Sequence, residues 1–255
     1  MINQSTFRSS LAIGLTALAF VLSAFPAQAI PVVKNPSFED ATSPFTTPIF
    51  GSFNFEIPVG AQTQLKDWTV TGTPQAMGFL DCLVFPGDAT VHVCGGGFAL
   101  WKDPGLSPDG GNHIAFDGDS SIAHSIAQDI HDLIPGQLYK VSLLQAAAQL
   151  DDRTGDTTEW WDVSLGTEHH DTAVMHNLSK DIVPWNFQTL TFQVPLTSTG
   201  TETLRFLARG TPDGLPPFVL LDGISITAVP EPGTIALLGI GLLGVFVRRR
   251  SKQLA

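Results

Sequence analysis

The chain has 255 residues, with 13 Lys and Arg against 24 Asp and Glu, a net charge of −11, and two Cys. It is too long for a disulfide-stapled mini-protein and too acidic for a nucleic-acid binder that neutralises phosphates with Lys and Arg. A hydrophobic fraction of 43% that includes 17 Phe excludes a disordered chain, although much of the apolar content lies at the two ends.

At the N-terminus a single cation, Arg8, precedes an uncharged run over residues 11–22, followed by Ala27-Gln28-Ala29. A cation, an apolar stretch and small residues in that order read as a secretory signal peptide over residues 1–29, removed by signal peptidase. An uncleaved N-terminal anchor is the alternative, and either one exports the domain attached to it. Residues 30–229 then make one ordinary domain.

Within that domain Cys82 and Cys94 stand twelve positions apart around Phe85-Pro86-Gly87-Asp88. In an oxidising compartment they are expected to form a disulfide, worth roughly 3 kcal/mol for so short a loop. Two free buried thiols are the competing reading.

The rest of the domain alternates apolar and polar residues. Tyr139, Val141 and Leu143 interleave with Lys140 and Ser142, Trp161, Val163 and Leu165 with Asp162 and Ser164, and Leu190, Phe192 and Val194 with Thr191 and Gln193. Further strand patterns cover residues 201–208 and 218–227, with Gly and Pro punctuation between and no long amphipathic helix. The pattern predicts an all-β architecture, either a two-sheet sandwich or a barrel.

The aromatic residues divide by this alternation. Trp68, Tyr139 and Trp161 are expected to point inward, and Trp185, following Pro184, to cap the core. Trp101, in a Gly-rich stretch, and Trp160, on the opposite side of its strand from Trp161, are the two candidates for an exposed ligand platform; packing is the other use of each. Sugar recognition needs such flat rings against C–H faces, with a few placed polar groups for hydroxyls.

Motifs for catalysis are weak. Gly118-Asp119-Ser120 has the form of a lipase nucleophile block, but no Asp-x-x-His follows and Gly-x-Ser-x-Gly is absent. Glu168-His169-His170-Asp171, with His176 downstream, lacks the i, i+4 spacing of a helical zinc site and reads as a solvated loop.

The C-terminal residues run Pro230-Glu231-Pro232, then fourteen uncharged residues over 234–247, then Arg248-Arg249-Arg250. As a helix that uncharged run rises about 21 Å, short of a hydrocarbon core of about 30 Å, a gap that snorkelling arginines narrow. The basic cluster stays cytoplasmic, so the domain faces outward. A plain tail anchor has the same layout. In its order of elements, residues 230–255 closely resemble the PEP-CTERM sorting signal of Gram-negative bacteria. The resemblance implies an exosortase-type membrane protease as processing partner, inner-membrane anchoring through a single hydrophobic helix before processing, and delivery to the cell surface or extracellular matrix, in company with exopolysaccharide.

A second resemblance spans roughly residues 32–227. Asn35-Pro36-Ser37-Phe38-Glu39 near the start, Asp67-Trp68-Thr69-Val70, Gly111-Asn112-His113-Ile114-Ala115-Phe116-Asp117-Gly118 and Leu133-Ile134-Pro135-Gly136-Gln137-Leu138-Tyr139 in between, and Leu221-Asp222-Gly223-Ile224 at the close look like the galactose-binding-like jelly rolls. These include carbohydrate-binding modules and the exported domains of choice-of-anchor type. The resemblance implies a two-sheet jelly-roll β-sandwich and a structural calcium ion held by Glu39 and Asp222, with Pro36 departing from the Gly often found there. It further implies a non-catalytic protein that binds extracellular polysaccharide. A surface adhesion or assembly protein working through protein contacts is the alternative, and a polysaccharide or ester hydrolase the third reading. Residues 30–229 hold eight Lys and Arg against 23 Asp and Glu, a net of −15, so the exported part should repel nucleic acid and attract divalent cations.

Overall fold

The computed structural model describes residues 30–40, 66–71, 92–94, 98–102, 104–105, 107–110, 113–150, 153–215 and 217–230. Residues 1–29, read from the sequence as a signal peptide, Cys82, and the tail beyond Pro230, including Glu231, Pro232 and Arg248 to Arg250, lie outside them. For Cys94 only the backbone is described.

The described secondary structure is all β. In chain order the strands are β1 (Thr69–Thr71), β2 (His92–Cys94), β3 (Phe98–Leu100), β4 (Ile114–Asp117), β5 (Ser125–Ile130) and β6 (Leu138–Gln149), then β7 (Thr157–Leu165), β8 (Glu168–Asp171), β9 (Met175–Asn177), β10 (Val183–Gln193), β11 (Glu202–Thr211) and β12 (Pro217–Ala228). Six of them form one sheet in the order β1-β5-β11-β7-β8, with β9 also on β7; β10-β6-β12-β4 form a second, and β2-β3 pair separately. The pairings are antiparallel, as expected for a sandwich whose neighbouring strands need no helical crossover.

The two sheets meet over the inward positions that the alternation marks. Along β7, Thr157, Glu159, Trp161, Val163 and Leu165 are buried while the residues between them are half-exposed. Aromatic rings run through the core in edge and tilted contacts. Phe38 lies 5.7 Å from Trp68, Trp68 6.2 Å from Phe206, Phe206 6.3 Å from Trp161, and Trp161 6.1 Å from Phe116. Such geometries suit the ring quadrupoles. The indole N–H of Trp68 donates to the Asn35 carbonyl (2.9 Å) and that of Trp161 to the Leu220 carbonyl (3.0 Å), so neither burial leaves a donor unpaired. Trp68, Tyr139 and Trp161 are all inside, as the alternation requires.

A second apolar cluster, Ala115, Ala146, Ala148, Leu150, Phe218 and Leu220, sits on the outer face of the four-stranded sheet, with Ile182 and Trp185 against it. Residues 101–102, 104–105 and 107–110 pass over this face. The Trp101 amide bonds to the Gln149 carbonyl (3.0 Å), and the Trp185 indole N–H donates to the Gly105 carbonyl (2.9 Å). The small residues of β6 therefore seat a covering segment. At one end of the sandwich the sheets close tightly, because a Cβ on Gly118 would stand 2.5 Å from the Arg209 carbonyl carbon.

One expectation is corrected. Glu168-His169-His170-Asp171 is not a loop; it is β8, paired with β7 from Asp162 to Leu165. It is an outer strand of the sheet with Asp171, His169 and His170 exposed, so it has no apolar side to alternate, and its backbone bonds alone make it a strand.

Candidate functional site

Trp160 lies on the outer face of the six-stranded sheet, half-exposed, directly opposite Arg209 of β11. Period two puts Thr158, Trp160 and Asp162 on that face once Glu159 and Trp161 are inside. Asp162 takes an ion pair from Arg209 (3.5 Å) and faces His169 Nδ1 (3.6 Å), while the hydroxyls of Thr158 and Thr211 share a hydrogen bond (2.6 Å). Val174, just before β9, is 46% exposed, and extending the β7–β9 register by one residue sets it beside Trp160. Among the described residues nothing accepts a hydrogen bond from the Trp160 indole N–H. The face thus offers a half-exposed ring, an indole donor with no partner among the described residues, and an Arg–Asp pair beside it.

Trp101 is also half-buried, but it is engaged. Its indole N–H donates to the Arg153 carbonyl (2.5 Å), and the Lys180 ammonium stands 4.5 Å from its ring centroid. One face of that ring is taken by a cation. The two tryptophans do not share a surface, since Trp101 belongs to the segment over the four-stranded sheet.

Glu39 stands close enough to Asp222 for its charge to act on it. Asn35 closes the turn that carries Glu39: its side chain accepts from the Asp40 amide (3.0 Å) and donates to the carbonyls of Asp40 (3.1 Å) and Lys66 (3.0 Å). The Pro36 carbonyl then receives the Ile224 amide (3.2 Å), tying the turn to the bulge within β12. A bulge between Asp222 and Ser225, with Gly223 at φ +57°, leaves Asp222 buried on the outer face under the covering segment. Neither Asp222 oxygen has a partner at hydrogen-bond geometry. Burial first of all pushes its carboxyl up to about 7; the Ser107 hydroxyl and the Gly223 amide lie close enough to oppose this, and Asp109 and Glu39 add repulsion. Ser37 donates to Asp109, so the same turn also holds that acid.

A buried carboxylate with orphaned oxygens and two further acids nearby is an oxygen-only donor set, the chemistry that suits calcium. No three Asp, Glu, His or Cys side chains among the described residues are gathered closely enough to make a ready-formed metal shell. Asp109 was not legible from the sequence, because it is 113 positions from Asp222 on a segment with no periodic pattern.

The motifs with a catalytic look serve the fold. Asp119 accepts from the Ser121 amide and hydroxyl and from the Gly214 amide (2.8, 2.6 and 2.8 Å), and the Ser121 hydroxyl above all holds its carboxyl below the usual range. The Ser120 hydroxyl donates to Asp213 (2.7 Å), not to an imidazole. On β8, His169 faces Asp162, whereas His170 bonds to Glu168 (2.9 Å) and packs on Phe192 (5.1 Å), so the two rings lie on opposite sides of one strand.

Residues 228–250 match the PEP-CTERM protein-sorting motif. The motif marks an exported protein with a C-terminal membrane-anchored signal that an exosortase-type system processes. No curated protein matches the chain. Similar solved structures include a carbohydrate-binding module, TmCBM61, in complex with β-1,4-galactotriose (14% identity, TM-score 0.38, covering 79% of this chain and 100% of that one). A CBM4 structure matches at 14% identity and TM-score 0.34, over 77% of this chain and 99% of that one. A cyclase from Fischerella sp. TAU matches at 14% identity and TM-score 0.45, over 81% and 100%.

Proposed function

We propose that the exported domain is a non-catalytic module that binds extracellular polysaccharide on the outer face of its six-stranded sheet, at the cell surface or in the matrix. One observation carries this reading: Trp160 is half-exposed, its indole N–H has no acceptor among the described residues, and it stands between the Arg209–Asp162 pair and Val174. The ring stacks on the apolar face of a pyranose, and the flanking Arg, Asp and Thr groups bond its hydroxyls. The net charge of −15 over residues 30–229 favours a neutral polysaccharide.

The test is a glycan array probed with the full-length protein and with Trp160→Ala. Binding of neutral oligosaccharides should fall at least tenfold in the variant while Trp101→Ala retains it. Absence of any glycan bound by the native protein, with specific capture of a surface protein instead, would favour the adhesion reading; turnover of a chromogenic glycoside or ester would favour a hydrolase.

Calcium is the proposed structural cofactor, held by Asp222 with Glu39 and, by virtue of its position, Asp109. An ion there joins the first turn to the last strand and gives the orphaned Asp222 oxygens partners. At about a hundredfold excess over its Kd, a ligand of the native state contributes about 2.7 kcal/mol. The melting temperature in millimolar calcium should therefore exceed that in EDTA by about 5 °C or more, and Asp222→Asn should erase the difference. Identical melting of the native protein in the two buffers would refute the site.

A further inference from the structure

The polypeptide leaves the sandwich at a defined place. Val229 is clamped at the head of β6, its amide donating to the Leu138 carbonyl (2.8 Å) and its carbonyl accepting from the Gln137 side chain (2.5 Å). The same end carries the β5–β6 and β10–β11 loops, joined by Gly136 amide to Val194 carbonyl (2.8 Å), Val194 amide to Gln137 carbonyl (3.0 Å) and Leu133 amide to Gly200 carbonyl (3.0 Å). Two of the domain's exposed large apolar side chains stand here. Leu196 is 84% exposed and rides over Gly136, where a Cβ would lie 2.7 Å from its Cδ2; Leu138 is 42% exposed. Single exposed leucines are ordinary. A pair beside the exit of an apolar tail is a different matter, because the tail decides what they face.

Only Glu231, Pro232 and Gly233 separate Pro230 from the uncharged run that begins at Thr234. Four residue steps span at most about 14 Å even when fully extended. The sandwich end is therefore tethered within that distance of the hydrocarbon boundary whenever the run is in the bilayer. The run is also short for a membrane, about 21 Å as a helix against about 30 Å of hydrocarbon. Mismatch of that sign is met by local thinning of the bilayer and by snorkelling of the flanking residues, so that the chain on either side of the run is held close to the hydrocarbon boundary.

We infer that, before the tail is removed, the domain stands on the outer leaflet of the membrane on this end, with Leu196 and Leu138 inserted at the boundary between headgroups and acyl chains. The inference rests on the reading of the tail as a membrane-anchored sorting signal. The contact is apolar in origin: Asp132 and Glu202 are at the same end of the sandwich and His131 and Lys140 do not outweigh them, so anionic lipid weakens the contact and does not drive it. It stands the domain upright, leaving the Trp160 face at the side and open to matrix.

The test uses the full chain in neutral phosphatidylcholine vesicles containing brominated lipid. Tryptophan is introduced as Leu196→Trp and, at the opposite end of the sandwich, as Leu178→Trp, where the native leucine is 62% exposed beside the β6–β7 loop. Relative to the native protein, Leu196→Trp should add bromine-quenchable, blue-shifted emission at least twice that added by Leu178→Trp, and it should lose access to aqueous iodide. Equal bromine quenching of the two, with full iodide access at position 196, overturns the docking while leaving the anchor intact. Failure of the native chain to float with the vesicles overturns the anchor reading, and the docking falls with it.

Discussion

Replacing Trp161 with alanine should destabilise the domain by about 3–5 kcal/mol, the range for removing a large aromatic side chain from a packed core. Trp161 is fully buried, contacts Phe206 and Phe116 through ring edges, and fills the space between β7 and β12. Its loss opens a cavity and also strips the Leu220 carbonyl of the indole donor that reaches it. The neighbouring Trp160→Ala should cost under about 1 kcal/mol, because its side chain faces outward. Denaturant unfolding of the two variants measures both numbers. A large loss of stability at Trp161 and a small one at Trp160 are what the alternation of β7 requires. A Trp160→Ala variant as unstable as Trp161→Ala would mean that the outer face is packed and not available to a ligand.

The second large effect is a fall of stability with rising pH. Glu159 shares the inward face of β7 with Trp161 and is fully buried; it accepts from the Thr157 hydroxyl, while its other oxygen has no partner. Burial pushes its carboxyl up to about 8, and the Thr157 bond only partly opposes this. Unfolded, the same group ionises near its ordinary value of 4.5. Between those two points the folded state holds a proton that the unfolded state has released, so stability declines as pH rises from about 4.5 to 8 and levels off above. Full development of that shift is worth on the order of 3–5 kcal/mol. Asp117, raised to about 6 chiefly by burial, adds a smaller term of the same sign. Comparing unfolding midpoints of the native protein and Glu159→Gln at pH 5.5 and 8.5 isolates the Glu159 part. The variant should gain stability mainly at pH 8.5 and show a flatter profile; parallel profiles would remove Glu159 as the cause.

Much of the fold was legible because a two-layer β protein writes its inside and outside in alternate residues. β6, β7, β10 and β12 all follow patterns visible around Tyr139, Trp161, Leu190 and Phe218, and the burial of Trp68, Tyr139 and Trp161 obeys the same rule. β8 was not legible, since an outer strand with little to bury has no reason to alternate. Glu159 shows the limit in another way. Its parity with Trp161 is plain in the sequence, but a carboxyl at an inward position becomes a protonated core group only because of what packs around it.

The candidate sites were legible to different degrees. Trp160 could be placed on the outer face by counting from Trp161, yet its Arg209 partner is 49 positions away and comes from the register of β11 on β7. Trp101 looked equivalent in sequence; its commitment to Arg153 and Lys180 is a matter of tertiary packing. The resemblance pairs Glu39 with Asp222; both Glu39 and Asp109, an acid that no motif announces, are close enough to Asp222 to act on its carboxyl.

The proposal that polysaccharide is bound at the Trp160 face is tested most directly by oxidative footprinting of the tryptophans, with and without extracellular polysaccharide from the producing cells. Oxidation of Trp160 should fall severalfold in the presence of polysaccharide while that of Trp101 is unchanged. Equal oxidation of Trp160 in both conditions, with the polysaccharide shown to be bound, would contradict it.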